Sequence, residues 1–230
     1  MNFGSIRTPI IPDGLVFNMD AANRASTIPS TSTDKSFNTI NLSQSGSFSD
    51  NGIFDSSTIT PSFAFGGTDD NIDIDSFNLG TNNTISLWYN STGKSPNYFT
   101  PLGNDDAPND YMIWIDYRYA NKRVYYKVED PSNEYISWMD VSAINDGNWH
   151  NLVFSRVDQT VNLYIDTIIQ TVTYNNLANN NTVIDKIGSK SNNTDWFKGN
   201  ISTLHFYNRA LSANEILHNY NALKGRFGLS

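Results

Sequence analysis

Asp146-Gly147-Asn148-Trp149-His150-Asn151-Leu152-Val153-Phe154-Ser155-Arg156-Val157-Asp158-Gln159-Thr160-Val161-Asn162-Leu163-Tyr164-Ile165-Asp166 reads as a turn, a strand, a tight polar turn and a second strand. Val161, Leu163 and Ile165 alternate with Asn162, Tyr164 and Asp166, the period-two pattern of a half-buried strand. The strand before it is apolar on both sides, with Trp149 and Val153 on one and Leu152 and Phe154 on the other. Such a strand belongs inside a packed sheet rather than at its edge. The expected architecture is an antiparallel sandwich.

The rest of the chain repeats this grammar. Leu15–Asp20, Ser62–Phe65, Asn71–Ile74 and Thr84–Tyr89 read as strands. So do Tyr98–Leu102, Tyr111–Tyr117, Arg123–Val128, Tyr135–Val141, Ile168–Tyr174, Thr182–Ile187 and Gly199–Tyr207. Short strands with turn residues between them mark a sandwich or barrel. Residues 23–51, rich in Ser, Thr and Asn, read as surface loops with at most short strands near 39–42. One helix is expected. Ser212 and Glu215 have capping-box spacing, and Ile216, Leu217, Tyr220 and Leu223 share a helical face. Gly225 is the expected stop. The organisation is an extended arm over 1–12, a sandwich over 13–211, and a helix with a tail over 212–230.

Composition narrows function. At 230 residues the chain can bury a large single core. A net charge of −8 makes it a poor partner for polyanions, so nucleic acid is not an expected ligand. No segment has the length of a membrane span, so membrane insertion is not expected either. The chain has no cysteine, which removes disulfides, thiolate metal sites and Cys nucleophiles. The first nine residues lack an apolar run for a signal peptide, so export by that route is not expected. Six Asn-x-Ser/Thr sequons, at Asn41, Asn82, Asn90, Asn180, Asn192 and Asn200, are what chance produces in so Asn- and Thr-rich a chain.

Phe63-Ala64-Phe65-Gly66-Gly67-Thr68-Asp69-Asp70-Asn71-Ile72, Thr84–Tyr89, Gly147–Val153 and Leu163–Asp166 occur in a telling order. Ile187-Gly188, Phe197–Ile201 and Tyr207–Ile216 complete it. This ordered set resembles laminin-G-like, concanavalin A-like jelly-roll domains over roughly residues 13–218. The resemblance implies an all-β, two-sheet antiparallel β-sandwich with a short C-terminal helix. One departure stands out: the family usually has Asp-Gly where this chain has Asp166-Thr167. A β-branched residue suits positive φ poorly, so a different or wider turn is expected there.

Gly14–Asn23 and Asn219–Gly228 further resemble the version found in structural proteins of tailed, especially marine, phages. That resemblance implies a non-enzymatic virion protein displayed on a capsid, tail or fibre. Its partners would be other virion proteins, with a homo-oligomer on the particle surface. Release by lysis would then replace a signal peptide. The alternative is a carbohydrate-binding module recognising a surface glycan.

Some relatives of this fold are glucanases, which need paired carboxylates flanking the scissile bond. Their strand motif, Glu-x-Asp-x-Glu or Glu-x-Asp-x-x-Glu, does not occur here, and Asp116 and Asp140 stand alone. The histidines, His150, His205 and His218, show no ligand spacing, and His150 reads as a strand-packed residue. No enzyme activity is expected.

Two binding sites are open. Asp69, Asp70 and Asn71, with Asp195 approaching from another loop, form either a calcium site or a solvated acidic turn. No other cofactor is implied. Trp114, Tyr117, Tyr119, Tyr125 and Trp138 form either a glycan platform or part of the core. Finally, Ile6, Ile10, Ile11, Phe227 and Leu229 put apolar side chains into the chain's ends. The expectation is that the ends anchor a neighbouring subunit and add little to the domain's own stability, unless they fold back over the sandwich.

Overall fold

A computed structural model describes residues 9–22, 36–38, 45–48, 54–55, 60–92, 98–104, 112–116, 123–128, 135–139, 144–189 and 195–230. In chain order the strands are β1 (Leu15–Asp20), β2 (Ser36–Asn38), β3 (Ser45–Phe48), β4 (Phe54–Asp55), β5 (Ser62–Gly66) and β6 (Ile72–Gly80). Then come β7 (Asn82–Asn90), β8 (Tyr98–Gly103), β9 (Met112–Asp116), β10 (Arg123–Lys127), β11 (Tyr135–Met139) and β12 (Trp149–Val157). The last are β13 (Thr160–Ile165), β14 (Ile168–Ile169), β15 (Tyr174–Asn175), β16 (Thr182–Ile187) and β17 (Lys198–Tyr207), followed by helix α1 (Ala213–Leu223).

They form two antiparallel sheets. One runs β14-β13-β12-β7-β17-β5-β4, with β1 beside β5 along the same edge of β17. The other runs β15-β11-β10-β9-β8-β16-β6-β3-β2. The opening stretch becomes β12 and β13 as expected, with β12 held between β13 and β7. In β13, Val161, Leu163 and Ile165 are buried while Thr160 and Asn162 face solvent. The two sheets meet through rings: Phe154 of β12 lies 5.9 Å from Trp138 of β11 and 5.6 Å from Tyr126 of β10. Arg156, fully buried, is satisfied by the Asp158 and Ala178 carbonyls and by Thr182 Oγ1. Gly199 is required by close approach, since a Cβ there would collide with the Asn90 carbonyl while φ is +147°.

The helix bears out its capping box. Ser212 Oγ accepts from the Glu215 amide at 3.4 Å, and the Ser212 amide donates to Glu215 Oε2 at 2.8 Å. Arg209 binds the same carboxylate and, as the largest cause, holds it down at about 2. Two details differ from expectation. Leu217 is 45% exposed, and the helix buries Ile216 and Asn219 instead. Gly225 does not stop the chain. A 3₁₀ turn follows over 224–227, and the left-handed residue is Gly228, at φ 74°.

That 3₁₀ turn changes the reading of the ends. Phe227 lies flat on Trp88, with ring centroids 4.1 Å apart and planes 12° apart, and Trp149 closes its side at 5.0 Å. Arg226 grips Asp20 of β1 through two bonds of 2.6 and 2.9 Å. Ile11 donates its amide to Asn219 Oδ1 at 2.8 Å and packs on Val153, Tyr207 and Ile216. Phe227 and Ile11 are therefore spent on the domain's own outer sheet face, not held out for a neighbour. Ile10 and Leu229 are half-buried, and Ile6 lies outside the described residues.

Candidate functional site

Strand alternation decides which aromatic residues can meet a ligand. In β11, Ile136 and Trp138 point into the core, and Trp138 is fully buried. A sugar cannot reach that ring, so Trp138 drops out of the platform. Its neighbour Tyr135 lies on the opposite, outer face. In β10, Val124 and Tyr126 are inward, which puts Tyr125 outward. Register then brings distant residues into one row. Tyr125 is opposite Ser137, and Ser137 is opposite Tyr174 of β15. Trp114 stands opposite Tyr125 in β9. Tyr117 and Tyr119 lie outside the described residues.

The outcome is a cluster of three tyrosines on the outer face of the second sheet. Tyr125 and Tyr135 meet edge to face, 5.6 Å apart at 61°. Tyr135 and Tyr174 lie 4.8 Å apart at 35°. Tyr174 is 44% exposed, so part of the cluster is open to solvent. Burial, and then the phenols of Tyr174 and Tyr125, push the Tyr135 hydroxyl above its usual range, while Arg123 opposes them. The Tyr135 phenol is thus protonated at neutral pH, a donor and an acceptor beside an apolar ring. A surface of this chemistry can stack on the C–H face of a pyranose or furanose ring and bond its hydroxyls. Tyr125 was among the residues named from sequence. Tyr135 and Tyr174 were not, although the alternation of Tyr135 with Ile136 carried the signal for the first.

The acidic loop is occupied by its own bonds. Asp70 accepts from the Gly66 amide, Asp69 accepts from Thr68 Oγ1 at 2.8 Å, and Asn71 donates to Asp73 at 2.7 Å. Asp73 also holds Lys186 at 2.8 Å. The Asp195 carbonyl accepts from the Thr100 amide at 2.9 Å. Among the described residues, no three His, Cys, Asp or Glu side chains are placed to hold a metal ion.

A second polar cluster sits at the turn that departs from the family pattern. Asp166 and Thr167 both take positive φ, 49° and 72°, and form a two-residue hairpin turn between Ile165 and Ile168. The different or wider turn expected from sequence is not formed: two residues at positive φ make an ordinary tight hairpin turn. Side-chain bonds hold the tight one: Asp166 Oδ1 accepts the Asn151 amide at 2.8 Å, and Oδ2 meets His150 Nδ1 at 2.7 Å. His150 Nε2 meets Asp146 at 3.1 Å. Burial works against the imidazolium, but the bonds and charges of both aspartates outweigh it and raise His150 above its ordinary 6.5. With both ring nitrogens engaged, His150 is a clasp rather than a base.

The sign of its contribution follows. A raised histidine stabilises the fold fully below its unfolded value and loses that contribution as pH climbs through the folded one. Asp166→Ala removes both side-chain bonds from a left-handed residue. It should cost about 2 kcal/mol near pH 6 and lower the melting temperature by about 6 °C. The difference from wild type should shrink at alkaline pH, where the imidazole is neutral. Equal melting of the two proteins near pH 6 would show that the clasp is idle.

An antiparallel two-sheet sandwich of this kind is the fold of a lectin-like class of domain. The family profile described as the concanavalin A-like lectin/glucanases superfamily, laminin-G type, matches residues 65–217, and the chain belongs to that family. Among solved structures it resembles domain 4 of AbnA, an extracellular arabinanase from Geobacillus stearothermophilus, in complex with arabinotriose. The TM-score is 0.58 at 16% identity, over 90% of this chain and 98% of that one. It also resembles Trypanosoma rangeli sialidase, with a TM-score of 0.65 at 13% identity, over 96% of this chain but 36% of the sialidase. The binding domain of Paraclostridial Mosquitocidal Protein 1 is similar at a TM-score of 0.57 and 15% identity, over 90% of this chain and 52% of that one. These likenesses concern the fold. A search of curated protein sequences finds no match.

Proposed function

We propose that this chain is a non-enzymatic carbohydrate-recognition domain displayed on a phage particle, on its capsid, tail or fibre. The observation that carries the recognition half is the cluster of Tyr125, Tyr135 and Tyr174, partly open on one sheet face. The crystallised complex of the arabinanase domain with arabinotriose supports looking first at neutral oligosaccharides. The virion half rests on the phage-like sequences at the two ends of the sandwich. Binding without turnover is the reading because the paired-carboxylate strand motif is missing from the sequence.

The test is calorimetry against a panel of oligosaccharides, arabinotriose included. At least one should bind saturably, and Tyr174→Ala should weaken that binding by roughly tenfold, about 1.4 kcal/mol. Tyr174 is half-exposed at the sheet edge, so this change should leave the melting temperature nearly unmoved. The bound sugar should be recovered intact. Affinity unchanged in both Tyr125→Ala and Tyr174→Ala would remove the cluster from the site, and released reducing ends would overturn the non-enzymatic reading. Mass spectrometry of purified particles asks separately whether the chain is a virion component.

A further inference from the structure

We propose that residues 225–230 form a lid on the outer face of the first sheet, which mild acid opens while the sandwich stays folded, Asp20 exchanging Arg226 for His205 as its partner. Strand alternation lays out the floor beneath this segment. In β1, Phe17 and Met19 point into the core, so Asn18 and Asp20 point out. In β17, Leu204 and Phe206 are inward, which puts Thr203 and His205 outward. In β7, Leu87 and Tyr89 are inward, which puts Ser86 and Trp88 outward. Register sets Asn18, His205 and Ser86 in one row and Asp20, Thr203 and Trp88 in the next. Apart from the Trp88 ring, the floor is polar.

The lid does not fit that floor as a core would. Its apolar hold is one ring, Phe227 on Trp88 and Trp149. Its polar hold is Arg226, which takes both oxygens of Asp20 and whose carbonyl accepts from Thr60 Oγ1 at 3.2 Å. Beneath it, Asn18 Oδ1, Thr203 Oγ1 and Trp88 Nε1 are sealed from solvent with no hydrogen-bond partner among the described residues. Water reaches these atoms when the lid lifts, so opening recovers hydration that closure denies. The hinge is in place. Helix α1 ends at Leu223, and its Tyr220 holds Trp88 independently of the tail. A Cβ at Gly225 or Gly228 would meet nothing within 4 Å, so neither glycine is packed against the body of the domain.

His205 supplies the trigger. It is 2% exposed, and the charged groups acting on it are Asp20 from β1 and Arg226 from the lid. Its cross-strand neighbours Asn18 and Ser86 are neutral. An imidazolium formed there would sit out of water near the Arg226 guanidinium, while Asp20 is already committed to Arg226. Lifting the lid removes the guanidinium, admits water and frees Asp20 to pair with the imidazolium. The proton therefore binds the open form more tightly, and acid shifts the population towards it. Opening also uncovers Phe227 and the faces of Trp88 and Trp149 beneath it, which gives the domain a further aromatic surface in acid.

Hydrogen exchange of the full chain tests this. The Trp88 indole N–H, sealed and unbonded, exchanges when the lid lifts. The Gly228 and Leu229 amides both donate to the Lys224 carbonyl, in a turn too short to persist once detached. The amides of β12, held between β13 and β7, report the sandwich. After correction for intrinsic rates, the three lid reporters should exchange faster than β12 throughout. Their opening constant should rise roughly tenfold or more from pH 6.5 to about 4.5, with the far-UV circular dichroism unchanged. His205→Gln should remove the acid rise. Arg226→Gln, which cuts the latch, should raise the opening constant at pH 6.5 by roughly tenfold. Lid reporters that keep one opening constant across the range overturn the proposal. So does an acid rise that persists in His205→Gln, or a lid that exchanges no faster than β12, since the tail would then leave only when the whole domain unfolds.

Discussion

Phe227→Ala is expected to lower the melting temperature by about 10 °C. The ring is 8% exposed, stacked flat on Trp88 and flanked by Trp149. Truncating a buried phenylalanine costs about 3 kcal/mol or more, because contact is lost and the cavity cannot fully collapse. A chain of this size converts each kcal/mol into about 2–4 °C. Trp88 itself is fully buried on the outer side of β7, where no second sheet covers it. Its cover is the C-terminal segment: Phe227 at 4.1 Å and Tyr220 at 5.2 Å. Deleting 226–230 should be worse than the point change, since Arg226 and its paired bonds to Asp20 go too. Thermal unfolding followed by tryptophan emission reads both, as the variant also uncovers two indoles. A shift below about 2 °C for Phe227→Ala would mean that the segment is an appendage, as the sequence had led one to expect.

The second large effect is a loss of stability in mild acid that depends on His205. This side chain lies in β17, opposite Asn18 of β1 and Ser86 of β7, beneath the C-terminal segment. It is fully buried. Burial above all, with Asp20 raising and Arg226 lowering, pushes the imidazole down from 6.5 to about 4. The fold therefore holds His205 neutral while the unfolded chain protonates it at its ordinary value. The unfolded state binds more protons in this window, so stability rises with pH between about 4 and 6.5 and falls on acidification. Two to three pH units correspond to about 3 kcal/mol. Replacing His205 with Leu should flatten the dependence of the melting temperature on pH across that window. If the variant loses as much stability as wild type between pH 6.5 and 4, some other group drives the acid transition. His150 works in the opposite sense above 6.5, so the two histidines together place the stability maximum near that value.

Both effects rest on contacts between residues far apart in the chain, and the same is true of the candidate site. The tyrosine cluster is three residues from three strands, and β15 reaches β11 across a connection that includes three strands of the other sheet, β12, β13 and β14. Residue type made Trp114, Tyr125 and Trp138 candidates for either a glycan platform or the core. Which of them faces outward depends on register, because one residue of shift along a strand exchanges its faces. Trp138 went inward with Ile136, and Tyr135 came out in its place.

What the sequence determined on its own is whatever neighbouring residues settle between themselves. Period-two alternation set the strands at Leu15–Asp20 and Thr182–Ile187 to the residue, and Ser212 with Glu215 set the start of the helix, because both are interactions over one to four positions. The tertiary structure alone decided the rest. Thr167 accepts a left-handed turn because Asp166 is bonded to Asn151 and His150, which more than offsets the strain of a β-branched residue there. The chain's apolar tail became core because the outer face of β7 offered Trp88 for it to cover. The first partners lie 15 and 16 residues apart and the second far more, and their meeting is fixed by sheet order and packing, which no local pattern of side chains encodes.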